Sequence, residues 1–382
     1  MPRPRKFRTV YSLPDFTEFA PVGQAGTDPV AMTVEEYETI RLIDLMGMTQ
    51  QECCEQMGVA RTTVQSIYND ARHKLAQCLV CGRPLRISGG SYRISGEQET
   101  QKKEGGKNMI ITVLMDNTAR SPEFVCEHGL SLHIQTADRS ILFDTGRSNG
   151  FARNAAACGI DLKKVDLAVL SHGHYDHGGG LNAFLAKNTR APIYHHGRAG
   201  EGHFARRANG TTEDIGVPPS LFDNPQFVRV YGDEEIAPGL TVFSSVTGKL
   251  FRPKANRSLL VKQGTGFTND PFLHEQNLLI EEDGKAVLIT GCAHRGIVNI
   301  VERAMELHGG LLTAVVGGFH LSNPRTGVCE PDETIAGVAV RLAKYPTRYY
   351  TCHCTGQVAF EKMKPLLGGQ LYAVSAGSRI TI

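Results

Sequence analysis

The chain is 382 residues long, more than one compact domain usually needs and enough for two. With 41% hydrophobic and 21% charged residues it has the composition of an ordinary soluble protein, which excludes global disorder and a fibrous repeat. A formal net charge of +2 is too small to act as a footprint for nucleic acid unless basic residues cluster locally. No run reaches the roughly 18 apolar residues of a membrane span, and the opening MPRPRK lacks the apolar stretch of a signal peptide, so a cytoplasmic location away from membranes is expected. Ten cysteines without an export signal read as reduced thiols, some of them metal ligands, rather than as a disulfide framework.

The first elements expected are helices. Thr33 with Glu36, and Thr49 with Glu52, each form the T-x-x-E capping pattern in which side chains satisfy the orphan amides of a helix start. The first helix carries Val34, Tyr37, Ile40 and Ile43 at helical spacing, the second ends near Gly58, and a third carries Val64, Ile67, Ala71, Leu75 and Cys78 on one face. Helix, short glycine turn, helix is the outline of a helix-turn-helix. Its second helix would bring Arg61, Thr62, Thr63, Gln65 and Ser66 to the major groove of DNA. Arg72 and Lys74, with Arg83, Arg86 and Arg93 around an expected β-hairpin at Gly89-Gly90, would then meet phosphates. Paired helices also occur in small bundles with a solvated basic face, so the pattern alone leaves both readings open. The segment from MPRPRK through EEYETIRLIDLMGMTQQECCEQMGVARTTVQSIYNDARHKLA to ISGGSY resembles a family of small predicted DNA-binding proteins of bacteria and archaea. That resemblance implies an all-α helix-turn-helix domain with DNA as partner, for which a homodimer reading paired half-sites is one arrangement. Cys53, Cys54, Cys78 and Cys81 are read as buried or free thiols, because no second pair completes a zinc site.

Residues 95–108, SGEQETQKKEGGKN, offer nothing apolar to bury and are read as a flexible linker between a domain at 1–94 and one at 109–382. Met109 to Leu114 is an apolar, β-branched run expected to open the new core.

The most informative stretch comes after the strand-like run Val165 to Leu170: Ser171, then His172, Gly173, His174, Tyr175, Asp176, His177 and three glycines. A core does not gather imidazoles and a carboxylate without a reason, and loops at strand ends carry function. His172 and His174 can face one ion and Asp176 and His177 a second, while Gly178 to Gly180 let the backbone turn tightly beside them. The competing reading is a solvated histidine cluster without metal. Imidazole with carboxylate suits one or two divalent transition metal ions, zinc first, with iron or manganese as alternatives.

H-x-H-x-D-H after a strand resembles the metallo-β-lactamase superfamily, with ILFDTG at Ile141 to Gly146 as the buttressing turn and VLITGCAH, VVGGFH and YYTCHCTG coming later in order. The resemblance implies an α+β fold, an αββα sandwich of two sheets with helices outside, over about residues 109–382. More narrowly, HGLSLHI, LSHGHYDHGGGL, HEQNLLI, LITGCAHRGIVNI, GGFHL and CHCTG resemble the subgroup named for dihydropterin-ribofuranosylaminobenzene 5'-phosphate synthase. Typical hydrolases of the superfamily carry Gly-Asp after the later strand, whereas this chain has Gly291-Cys292. His294 and His353, each just past an apolar strand, are expected to complete the metal set of His172, His174, Asp176 and His177. Asp176 and His320 are the candidate catalytic groups, and Cys292 and His274 are candidates for a ligand or a supporting role. His195, His196 and His203 fall in a stretch, 194–251, read as a long irregular insert and a substrate rim, where Arg198, Arg206 and Arg207 could meet phosphate oxygens.

These observations lead to a metal-dependent hydrolase or dihydropterin-type transferase acting on a phosphorylated or pterin-like small molecule and fused to a DNA-binding domain. A different class of function is a regulator whose metal domain senses a ligand or metal and biases DNA binding.

Overall fold

A computed structural model describes residues 8–11, 14, 17–21, 28–94, 108–323 and 325–382. The opening MPRPRK and all but the last residue of the 95–108 linker lie outside the described residues. The chain separates into two compact units, the first centred on the N-terminal segment and the second on the longer C-terminal segment.

In the first unit both capping boxes form. The Glu36 amide donates to Thr33 Oγ1 at 3.3 Å and the Thr33 amide to the Glu36 carboxylate at 2.7 Å, starting α1 (Val34–Ile40). Thr49 and Glu52 repeat the exchange at the start of α2 (Gln50–Met57), which Gly58 ends in the left-handed conformation at φ +65. After Val59 and Ala60 the chain enters α3 (Arg61–Cys81). Beyond α1 the helix widens into π turns over Arg41–Leu45, which shifts its apolar stripe, so Leu42 rather than the expected Ile43 is fully buried. Ala71, with Leu75 and Cys78 beside it, packs on Val30, Met32, Leu85 and Ile87.

Those last four residues lie on strands, so the unit is helical over the expected span but not all-α. Val30–Met32 pairs in parallel with Leu85–Ile87, Glu18–Phe19 joins the latter antiparallel, and Arg8–Val10 pairs in parallel with Tyr92–Ile94. The hairpin expected at Gly89-Gly90 does not form, because its two arms belong to different sheets. Pairing with Val30–Met32 lets alternate residues Leu85 and Ile87 face α3, a burial that a local hairpin would not supply.

Among its described residues the second unit holds two seven-stranded sheets. The first runs, in spatial order, Phe227–Val230, Ile193–His196, Leu167–Leu170, Ser140–Phe143, Ser131–Gln135, Ile110–Met115 and Arg379–Thr381. The second runs Glu234–Ala237, Leu240–Phe243, Asn277–Glu282, Lys285–Ile289, Ala314–Gly317, Arg348–Thr351 and Leu371–Ala373. One apolar cluster takes Ile111, Leu132, Ile141 and Val169 from the first sheet and Val242, Leu278, Val287 and Val316 from the second, so the sheets pack face to face. The outer face of the first sheet is covered by Phe151 and Ala155 of α4 (Gly150–Ala157) and, past the single turn α5 (Tyr175–Gly178), by Phe184 of α6 (Leu181–Leu185). α7 (Ile297–His308) contacts Lys285–Ile289, and α8 (Asp332–Leu342) and α9 (Gln357–Leu367) each divide between the two units, at Val338 and at Glu361. This is the expected α+β sandwich. The stretch 194–251, expected to be irregular, instead contains His203–Arg206, Thr212–Asp214 and three strands of the main sheets. Strands of three or four residues, one of them exposed throughout, are too short for period-2 alternation to reveal.

The topology decides where chemistry can sit. Ser140–Phe143, Leu167–Leu170 and Ile193–His196 are parallel in one sheet, and Lys285–Ile289, Ala314–Gly317 and Arg348–Thr351 are parallel in the other. Their carboxyl ends release the loops bearing Asp144, His172, Cys292, His320 and His353, so residues up to about 200 positions apart converge.

A buried histidine away from that edge yields a pH prediction. His133 hydrogen-bonds Ser140 Oγ at 2.8 Å, and burial lowers its pKa from 6.5 to about 4. Between those values the unfolded chain accepts a proton that the folded chain refuses, so stability is fully present above pH 6.5 and falls as pH drops toward 4, by up to about 3 kcal/mol. Denaturant titrations at pH 7 and 4.5 should show a smaller acid-induced loss in His133→Gln than in the parent; equal losses would refute the assignment.

Candidate metal centre

The loops at the strand ends are held in uncommon backbone conformations. Asp144, Phe272, Ala293, His320 and His353 all have φ between +49 and +62, and all lie on these loops. Such conformations cost energy for residues other than glycine and persist where the surroundings over-determine them.

His172, His174 and His294 form one buried group, with a ligand atom of each within 4.8 Å of the others. Ser171 Oγ lies 2.7 Å from Asp144 Oδ2 and 2.8 Å from His172 Nδ1. The hydroxyl donates to the carboxylate, so its oxygen accepts from Nδ1–H and His172 Nε2 keeps a bare lone pair. Asn256 Oδ1 does the same for His294 Nδ1 at 3.0 Å. The Nε2 atoms of His172, His174 and His294 are buried and have no hydrogen-bond partner among the described residues. Burial, then neighbouring imidazoles, lowers all three pKa values well below the usual range, which keeps the rings neutral as metal ligands require.

Asp176, His177, Cys292 and His353 form the second group, again within 4.8 Å. His177 Nδ1 faces Asp144 Oδ2 at 2.6 Å and His353 Nδ1 faces Asn117 Oδ1 at 2.9 Å, so both Nε2 atoms turn inward, 3.2 Å apart. Cys292 Sγ lies 3.1 Å from His177 Nε2, and Asp176 Oδ2 lies 3.4 Å from His353 Nε2. Although burial opposes it, the imidazoles of His177, His353 and His128 hold Asp176 ionised. Also against burial, Cys354 and Asp176 push His353 up to about 9. This pocket of carboxylate and thiols demands positive charge, and the donor set fits a borderline divalent ion.

A third group, His174, His203, Asp270 and His274, is knitted by hydrogen bonds. Asp270 Oδ2 lies 3.1 Å from both His203 Nδ1 and His274 Nε2, and His274 Nδ1 accepts the Gly173 amide at 2.9 Å. Both nitrogens of His274 are therefore engaged in supporting the loop between His172 and His174. His203 is buried here rather than on an exposed rim, and His195 and His196 are buried on a sheet strand, His195 against Phe222. Gly178 to Gly180 have no left-handed φ; they are small because neighbours press close, with a Cβ on Gly179 falling 2.1 Å from the Arg147 carbonyl oxygen.

His320, tilted on His294 with ring centres 4.2 Å apart, lines a cavity of about 110 Å³ together with His174, Asp176, His294 and His353. Several supporting residues escaped the sequence reading. Asp116 accepts the His353 amide at 2.7 Å, and buried Glu275, its pKa raised to about 7 by burial, accepts the His294 and Arg295 amides. Asp116 directly follows the strand Ile110–Met115, so a carboxylate at a buried strand's end was the available signal. Asp144→Asn should weaken metal affinity about 10–100-fold, the usual effect of losing the partner that orients a ligating histidine. Chelator competition reads this directly, and unchanged affinity would remove Asp144 from that role.

In the first unit Arg61, Thr62, Gln65, Ser66 and Arg72 are exposed on α3 and Thr63 is half-buried. Lys74 is paired with Glu36 at 2.7 Å and Arg86 with Glu18 at 2.9 Å. Cys53 and Cys54 are buried free thiols.

Residues 1–95 match the family model Protein of unknown function DUF134, and residues 126–296 match Metallo-beta-lactamase superfamily. A UPF0251 protein of Desulfitobacterium hafniense (strain DSM 10664 / DCB-2) is 57% identical over 96 residues, 25% of this chain and 77% of that protein. UPF0251 protein Teth39_0655 of Thermoanaerobacter pseudethanolicus is 50% identical over 101 residues, 26% of this chain and 86% of that one. The solved structure of Tm1679, a metal-dependent hydrolase of the beta-lactamase superfamily, superposes with a TM-score of 0.61 at 28% identity, covering 72% of this chain and 99% of that one. No helix among the described residues is long and apolar enough to cross a membrane. The chain thus belongs to the UPF0251 family through its N-terminal segment, which it joins to a metallo-beta-lactamase superfamily domain.

Proposed function

We propose that residues 109–382 form a metal-dependent enzyme binding two divalent transition metal ions, one at His172, His174 and His294 and one at Asp176, His177, Cys292 and His353. The observation that carries this reading is the trio of buried imidazole Nε2 atoms, without hydrogen-bond partners among the described residues, that belong to one close group. Zinc suits the mixture of imidazole, carboxylate and thiol best, with iron or manganese as alternatives. Ions of this kind supply Lewis acidity toward a substrate oxygen and acidify water at neutral pH. Asp176, ionised, orients the nucleophile or takes its proton, and His320, on the same cavity, holds a proton for the departing group. Likeness to Tm1679, a metal-dependent hydrolase, supports hydrolysis; a phosphorylated or pterin-like small molecule is the substrate class proposed here. Cys292, where typical superfamily hydrolases carry a carboxylate, keeps a transferase of the dihydropterin type as the variant in which an amine replaces water. Elemental analysis of the purified chain should find roughly two transition metal ions. Product analysis with phosphate esters, with and without an aromatic amine, separates the two reactions. Purified protein without stoichiometric metal would end this reading.

A second reading rests on the exposed row Arg61, Thr62, Gln65 and Arg72 on α3. Residues 1–94 would read DNA, joined by the 95–108 linker to a metal domain that senses a ligand. Binding to DNA should weaken steeply with salt and shift when metal is removed, and the absence of any affinity at low salt would exclude it.

A further inference from the structure

The cavity at the metal-binding groups has a second wall that the chemistry above leaves unused. Arg207, directly after the strand His203–Arg206, and Arg325, on the loop after His320, both line it together with His174, Asp176 and His353. The same two arginines line an adjoining groove of about 810 Å³ together with Arg206 and Arg257. Glu213 is the one carboxylate among the described residues lining that groove. Its Oε2 lies 2.6 Å from Arg207 Nε and 3.4 Å from an Arg325 amino nitrogen, which pins the two guanidinium groups side by side. Among the described residues neither Arg206 nor Arg257 has an ion pair, so four cations face one anion.

We infer that this arginine wall is a binding subsite for the terminal phosphate of a small phosphomonoester, whose reacting end lies at the metal-binding groups. The inference rests on the proposed catalytic reading for the reacting end only. Glu213 neutralises one of the four, and the surplus positive charge of the groove, open to solvent at Arg206, Arg257 and Arg325, attracts an anion. A phosphomonoester dianion matches what remains better than a carboxylate does, because its three equivalent oxygens accept from several planar guanidinium forks at once. Asn323, which also lines both spaces, adds a neutral amide donor. Arg207 directly follows a strand and Arg325 lies on a loop more than a hundred residues later, so only the folded domain builds the subsite.

The test uses the full metal-loaded chain and calorimetric titration with ribose 5-phosphate, gluconate, ribose and a single-stranded oligonucleotide. Ribose 5-phosphate should bind at least about tenfold more tightly than gluconate or ribose, and Arg207→Gln and Arg325→Gln should each weaken it about tenfold. Glu213→Gln, by removing the competing anion, should tighten it, a gain that a merely structural role would not produce. Ribose 5-phosphate binding no tighter than ribose, or unaffected by Arg325→Gln, would overturn the subsite. Tighter, arginine-dependent binding of the oligonucleotide would overturn it in favour of a phosphodiester ligand. Metal content, measured on the same samples, reports separately on the catalytic reading: arginine-dependent binding without metal sinks only the latter, and metal without arginine dependence sinks only the subsite.

Discussion

His174→Ala should cost the protein its metal at one site and nearly all of its turnover. The residue belongs to both the trio with His172 and His294 and the network of His203, Asp270 and His274, so its removal deletes a donor and loosens the loop that carries the others. A structural supporting partner is worth about 10–100-fold in metal affinity, and a donor itself should exceed that. Elemental analysis after dialysis should show roughly half the parent's transition metal, with steady-state turnover reduced by about three orders of magnitude. Circular dichroism should remain that of the parent, since the sheets do not depend on this side chain. Undiminished metal and turnover in this variant would show that the cluster is not catalytic.

The second large effect is expected from a substitution with no chemistry of its own. A Cβ on Gly173 would lie 2.2 Å from the Ala199 carbonyl oxygen and 2.8 Å from the His203 ring. The first obstacle is backbone and cannot swing away, and the second is a ring already fixed by Asp270 and stacked on His274 with centres 3.9 Å apart. Gly173→Ala must therefore push apart the strand end that holds His172 and His174. A loss of about 2–3 kcal/mol is the expected size for overpacking a filled site. Metal retention should fall with it. Gly266→Ala, where the nearest atom is 3.9 Å away, provides the comparison and should change stability by less than about 0.5 kcal/mol. Thermal unfolding of the two variants beside the parent decides the matter, and equal melting temperatures would show that the contact relaxes freely.

Local signals were the reliable ones. The two capping boxes, the glycine stop at Gly58 and the apolar face of α3 are contacts between residues a few positions apart, and each was readable because helix geometry repeats every few residues. The clustering at the end of the strand Leu167–Leu170 was equally legible, since His172, His174, Asp176 and His177 have no use together in a core and the fold buries all four. The same local logic failed where pairing was remote. Arg8–Val10 with Tyr92–Ile94, and Leu85–Ile87 with Val30–Met32, are parallel pairs between distant segments, and nothing in a strand of three residues announces its partner.

The histidines separate the two kinds of information most clearly. Composition and spacing by themselves determined that this chain carries a helical N-terminal segment and a strand-end cluster with the donor types of a metal site. Which distant residues join that cluster was decided by the sandwich, whose parallel strands release Cys292, His320 and His353 at one edge with His172. His203 and Asp270 entered the supporting network because two short antiparallel pairings, His203 with Val261 and Leu260 with Asn269, seat one of them beside the other. A sequence encodes donors one residue at a time, whereas the direction of a lone pair depends on the hydrogen bond made by the opposite ring nitrogen, and that partner is supplied from elsewhere in the fold.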